Sequence, residues 1–263
     1  MVRGDLSVGD TGSLNISPGV IVKLARGAGI YVQGILRIAG SEDNGVVFTA
    51  LSDDEYGGDT DKSGDTVIPK PGDWRGISFA DTSRDDKTVL DYVLLRYAAN
   101  PVSLNNAAPT LTHIGMEQNQ GNGYALSAGT WTTNRWQNTG LPYYLTGDVT
   151  VDERSVLTIA PGVMVKAKGS GVYVNGALDA QGTEAQPIVF TAWADDTLGG
   201  DTDNTGDTVT PKPGDWRGIT FYNTINSAKS VLTHVRLRYG TKTGYSVAQG
   251  ATPGRFQNVS VEP

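Results

Sequence analysis

The sequence predicts an all-β chain folded as a single right-handed parallel β-helix of about ten coils, with two acidic loops inserted into it. Three observations carry this expectation. Short apolar triplets with a variable centre recur along the chain, their spacing stays near 22 residues, and one long passage is written twice.

The triplets come first. Leu6-Ser-Val8, Leu14-Asn-Ile16, Val20-Ile-Val22, Ile30-Tyr-Val32, Leu36-Arg-Ile38 and Val46-Val-Phe48 alternate over too few residues for anything but short strands with one buried face. Turn residues stand at every break, and 34 glycines and 12 prolines supply them. Corresponding triplets lie 24 (Leu6 to Ile30), 22 (Leu14 to Leu36) and 26 (Val20 to Val46) residues apart. Three short strands per turn of about this length make one coil, and each strand pairs with its counterpart roughly 4.8 Å along the axis. Sandwich strands are longer and hold no such period, and a leucine-rich repeat would show its Leu/Asn consensus.

The duplication follows. Gly4–Val8 aligns with Gly147–Val151 at an offset of 143, Trp74 with Trp216 at 142, and RWQN from Arg135 with RFQN from Arg255 at 120. The copies therefore run over 1–142 and 143–263 as one continuous solenoid, the second copy being shorter. Within the first, Ile30 to Ile77 spans 47 residues; removing the 21 residues from Asp53 to Asp73 leaves 26, an ordinary coil. The segments 53–73 and 195–215 are thus loops inserted into a regular repeat.

These loops hold the candidate chemistry. Asp59-Thr-Asp61-Lys-Ser63-Gly64-Asp65 and Asp201-Thr-Asp203-Asn-Thr205-Gly206-Asp207 fit the first seven positions of an EF-hand calcium loop. Such loops take hard oxygens at positions one, three and five and a glycine at six. The twelfth position departs from that pattern, being Lys70 or Lys212 instead of a bidentate glutamate. Another carboxylate must complete the set, with Asp53 and Asp54, or Asp195 and Asp196, nearest in sequence, and Asp73 and Asp215 next. Aspartates crowded into one loop repel each other unless a cation sits among them, so Ca²⁺ is the expected cofactor; Asx-turns on a solvated surface are the plainer alternative. Pro69 and Pro71 stiffen the return path, and Trp74 is expected to cover the edge of the coil, with sugar stacking as a lesser role.

The wording LxIxPGVxVK, GxYVxGxL, FTA, DD, GGDTD, GDW and LRY resembles the right-handed β-helix domains of bacterial secreted and surface proteins, which share the pectin-lyase-like fold. The resemblance covers nearly the whole chain. It implies an architecture more than an activity, because that fold hosts lyases, glycosidases, adhesins and structural proteins.

Composition narrows the function. The net charge of −7 opposes a nucleic-acid partner, the absence of cysteine excludes disulfides and thiolate metal sites, and no apolar run is long enough to span a membrane. The opening MVRGDLSVGD is no signal peptide, so an exported protein would be present here as its mature form or as a fragment. The expected role is a non-catalytic, calcium-stabilised structural or adhesive module, extracellular or on the cell surface. Its expected partner is itself, stacked head to tail through uncapped strand edges, with glycans a further partner through outward Tyr31 and Tyr173. The alternative is a polysaccharide lyase or glycosidase, using these aspartates as acids and Arg75, Arg96, Arg217 or Arg238 as bases, for which surface ion pairing is the simpler role. His113 and His234 are expected to be ordinary outward residues, Arg3-Gly4-Asp5 a coincidence of the repeat, and the outward triplet centres too varied for an ice-binding face.

Overall fold

A computed structural model describes residues 1–222, 224, 226–241, 244–247 and 254–263, without the side chains of residues 65, 207, 227, 246 and 247. The chain divides into two compact units, Met1–Ala125 and Leu126–Pro263. Each is a right-handed parallel β-helix, and the described residues contain no α-helix, only 3₁₀ turns such as Gly64–Thr66 and Gly206–Thr208. No helix is long and apolar enough to cross a membrane among the described residues.

In the first unit, Leu6–Val8, Ile30–Val32, Ile77–Phe79 and Val102–Leu104 stack in parallel, with Leu6 on Ile30, Ile30 on Ile77 and Ile77 on Val102. The pairing of Ile30 with Ile77 is the one that the length of the acidic loop predicts, since the loop leaves after Val46–Ala50 and returns before Ile77. A second stack joins Ser13–Ile16 to Ile35–Ala39, and a third joins Ile21–Leu24 to Val46–Ala50. The second unit repeats the plan, with Val172 on Ile219 across its own acidic loop.

One feature differs from a succession of triplets. Val89–Arg96 is a single bent strand: its first half pairs with Ile35–Ala39 and its second half with Val46–Ala50. The corner is Tyr92 at φ 52°, a left-handed residue doing the work of the 40–45 loop one coil earlier. Val231–Arg238 bends likewise at His234, and Thr110–Glu117 at His113. The histidines are therefore outward, as expected, but they are also corners.

The core is a column of inward aliphatic and aromatic side chains. Trp74 and Trp216 belong to it, being 0% and 1% exposed. Each stacks on a phenylalanine, Phe48 or Phe190, and donates from Nε1 to the Arg96 carbonyl (2.6 Å) or the Arg238 carbonyl (2.7 Å). This corrects the expectation that Trp74 lies over an edge, and it leaves no ring face for a sugar. The outward centres of the first stack read Ser7, Tyr31, Ser78 and Ser103 in register, a hydroxyl row broken by a tyrosine, and an ice-binding face has no support in it.

Candidate metal centre

The acidic loop folds down on the outer face of its coil. Outward residues there are consequently buried, and all five positions of Val46–Ala50 and of Ile188–Ala192 are covered. The column is polar and written twice, covered at its lysine and threonine and open at its terminal glutamate. Lys23 pairs with Thr49, and Arg96 with Glu117; Lys166 pairs with Thr191, and Arg238 with Glu262.

On this floor stands the first aspartate of each pair. Asp53 Oδ2 accepts from the Thr49 hydroxyl and from Arg96 Nη1 (3.2 Å). Asp195 Oδ2 accepts from the Thr191 hydroxyl (2.5 Å) and Arg238 Nη1 (2.7 Å), while its Oδ1 accepts from Thr197 Oγ1 (2.5 Å). Arg96 also reaches Glu55 (2.6 Å) and lies over the Tyr56 ring at 4.8 Å. It is thus a buried structural cation and not the surface ion pair expected for it.

The second aspartate turns the other way, toward the loop. One carboxylate oxygen each from Asp54, Asp59 and Asp61 lies within 4.8 Å of the others, and Asp196, Asp201 and Asp203 form the same group. The backbone presets these positions. The Ser63 amide donates to Asp59 Oδ1 and Asp61 Oδ1 (both 3.0 Å), and the Gly64 amide to Asp59 Oδ2 (3.1 Å). In the second copy the Thr205 amide donates to Asp201 (3.1 Å) and Asp203 (3.2 Å), and the Gly206 amide to Asp201 (2.9 Å). Hydrogen bonding from Ser63, foremost, holds the Asp61 carboxyl below the usual aspartate range, with a smaller pull from Lys23. Gly64 and Gly206 take φ 53° and 56°, which a side chain would resist.

Of the twelve candidate ligands, six converge. Asp53 and Asp195 are instead anchors; Ser63 and Thr205 contribute amides that bond the cluster; the side chains of Asp65 and Asp207 lie outside the described residues. Asp73 and Asp215 cap their own turns, accepting from the amides of Lys70 (2.8 Å) and Lys212 (2.9 Å).

The residues that the sequence reading passed over are Lys23 and Lys166. Both are outward on their strands yet only 3% and 0% exposed, because the loop covers them. Lys166 Nζ donates to the Gly200 carbonyl (2.7 Å) and Lys23 Nζ to the Gly58 carbonyl, immediately before Asp201 and Asp59 respectively. Burial pulls the Lys166 ammonium below the usual lysine range, while Asp196, Asp195, Asp203 and Asp201 pull it back up. The signal was present as the K of PGVxVK in both copies.

Elsewhere, Asp5 Oδ1 accepts from the Gly29 amide (3.1 Å) and Asp5 Oδ2 pairs with Arg75 (3.2 Å). Asp148 makes the equivalent bonds to the Gly171 amide (3.0 Å) and to Arg217 (2.7 Å). The aspartate of Arg3-Gly4-Asp5 therefore serves the repeat. Arg75 also donates to the Tyr31 hydroxyl (2.8 Å).

No curated protein and no solved structure matches the chain. Residues 129–244, which contain the second acidic loop and Lys166, Thr191 and Arg238 beneath it, match the family model of the pectate-lyase-like beta helix domain.

Proposed function

We propose that the chain is a non-catalytic structural or adhesive β-helix module, extracellular or at the cell surface, whose two inserted loops each bind Ca²⁺. The duplicated three-carboxylate cluster carries this reading. Calcium takes hard oxygen ligands in flexible geometry, and carboxylates on a preset loop are such a donor set. Charge supports it as well. Around the second loop stand four aspartates (195, 196, 201 and 203) against two cations, Lys166 and Arg238, so at least two negative charges are left over. A divalent ion matches that remainder. The arginines proposed as bases are already engaged, Arg75 with Asp5, Arg217 with Asp148, and Arg96 and Arg238 with buried aspartates. The test is differential melting: millimolar calcium added to chelator-treated protein raises Tm under this reading, and an unchanged Tm leaves the clusters as surface turns.

The partner we propose is a second copy, stacked end to end. The internal pairing of Asn134–Trp136 with Val156–Ile159 supplies the pattern, with Arg135 on Thr158 and Trp136 on Ile159. By the repeat offsets, Arg255 and Phe256 of one copy would meet Asn15 and Ile16 of the next. The apolar side chains Ile21 (39%) and Val261 (42%) on these edges are exposed. Sedimentation velocity across a concentration series checks this: a constant, monomeric coefficient rules it out.

A carbohydrate-active enzyme is the second reading, favoured by the pectate-lyase-like match and by a groove of about 460 Å³ in the first unit. Tyr56, Tyr92, His113, Glu42 and Asp43 line that groove. Turnover of a uronate or neutral glycan that Glu42→Gln abolishes would establish this reading over the first.

A further inference from the structure

We propose that Lys23 and Lys166 are the resident counter-ions of the two acidic loops, holding each loop closed without metal and setting its calcium affinity by opposing the incoming ion. This rests on the calcium reading only in its second half.

A lysine on the outer face of a coil ordinarily extends into solvent along its stem. Here two equivalent lysines are buried under an inserted loop, at a cost in desolvation that an apolar side chain of similar length would avoid. Their neighbours in the strand change between copies: Ile21 becomes Met164 and Leu24 becomes Ala167, while the lysine stays. Its ammonium is directed at one place, the carbonyl of Gly58 or Gly200. Those glycines sit at φ 69° and 73°, where the chain turns into Asp59 and Asp201 of the clusters. The lysine therefore positions the root of the loop.

Its charge acts on the cluster as well. Asp61 feels Lys23, and Asp195, Asp196, Asp201 and Asp203 all act on Lys166. A fixed positive charge among carboxylates relieves their repulsion when no ion is bound. Once a divalent cation enters, the same charge repels it. A residue serving only to pack the loop would couple the other way, because loosening the loop would weaken both its fold and its ion site.

The experiment is Lys166→Met in the full chain, with Lys23→Met as a second, independent variant and Lys166→Arg as a charge-conserving control. In chelator, the methionine variants should melt about 3 °C or more below the parent, and added sodium chloride should close much of that gap by screening the carboxylates. In calorimetric titration, one of the two calcium-binding events should tighten about tenfold. Lys166→Arg should keep the parent's salt response. Weakened calcium binding in Lys166→Met, or a metal-free loss of Tm that salt does not touch, overturns the proposal. If the parent binds no calcium, the calcium reading fails by itself, and the salt arm still decides the counter-ion role.

Discussion

Asp53 and Asp54 are neighbours in sequence and opposites in role. Asp53 faces the floor because Thr49, four residues back, and Arg96, 43 residues on, both donate to it. Asp54 then points into the loop with Asp59 and Asp61. Sequence spacing marks the pair but not which member is which, since the deciding partner lies one coil further along. The consequence is testable in the second copy, where Asp195 is fully buried and the Arg238 side chain is 18% exposed. Asp195→Ala strands the arginine and should cost about 2–3 kcal/mol in chemical denaturation, somewhat below the cost of breaking a fully buried pair, because Arg238 is partly exposed and Glu262 still reaches it at 3.4 Å. Asp196→Ala, by contrast, should lower calcium affinity while changing metal-free stability little.

Asp91 gives a pH signature at the same scale. Partial burial raises its pKa, but hydrogen bonds from Thr112 (2.7 Å) and His113 (2.8 Å) outweigh that and hold it below the usual aspartate range. A depressed carboxylate stabilises the fold above its unfolded pKa, about 3.9, and that contribution is lost as pH falls through the lower, folded value. Asp91→Asn should therefore be less stable than the parent at neutral pH by a fraction of a kcal/mol, and the two unfolding curves should merge at strongly acidic pH. A gap that persists there would mean that the charge of Asp91 is irrelevant.

Among the elements, the strands were legible because their period is 2 and their coil period is near 22. Leu14 on Leu36 and Leu6 on Ile30 are the pairings the triplets predict. The inserted loops were legible by subtraction. The bent strands were not, because Tyr92, His113 and His234 turn corners in a left-handed conformation that the sequence does not advertise in residues other than glycine. The polar floor was hidden for a related reason. Lys23, Thr49, Arg96 and Glu117 are scattered over the first unit, and only the register brings them into one column. Close approach between coils gives the prediction here. Gly76 enters Ile77–Phe79 at φ 110°, and a Cβ there would stand 1.7 Å from the Asn100 carbonyl oxygen. Gly76→Ala should cost about 3 kcal/mol or more, combining backbone strain with a backbone clash. Gly4→Ala, which meets nothing within 4 Å, is the control and should melt with the parent.

For the molecule as a whole, duplication is the dominant fact. The second unit repeats the first down to the direction of single side chains: Lys166 repeats Lys23, Trp216 repeats Trp74, and Asp148 with Arg217 repeats Asp5 with Arg75. Two copies of one acidic loop over one polar floor are the basis for reading the loops as ion sites that brace the coils. The most direct test of that claim is calorimetric titration of calcium into chelator-treated full-length protein, alongside the paired variants Asp59→Asn/Asp61→Asn and Asp201→Asn/Asp203→Asn. Binding is expected at both loops, with each double variant removing the share of its own loop and leaving the other. No heat of binding in the parent, or binding that both double variants leave intact, would contradict it.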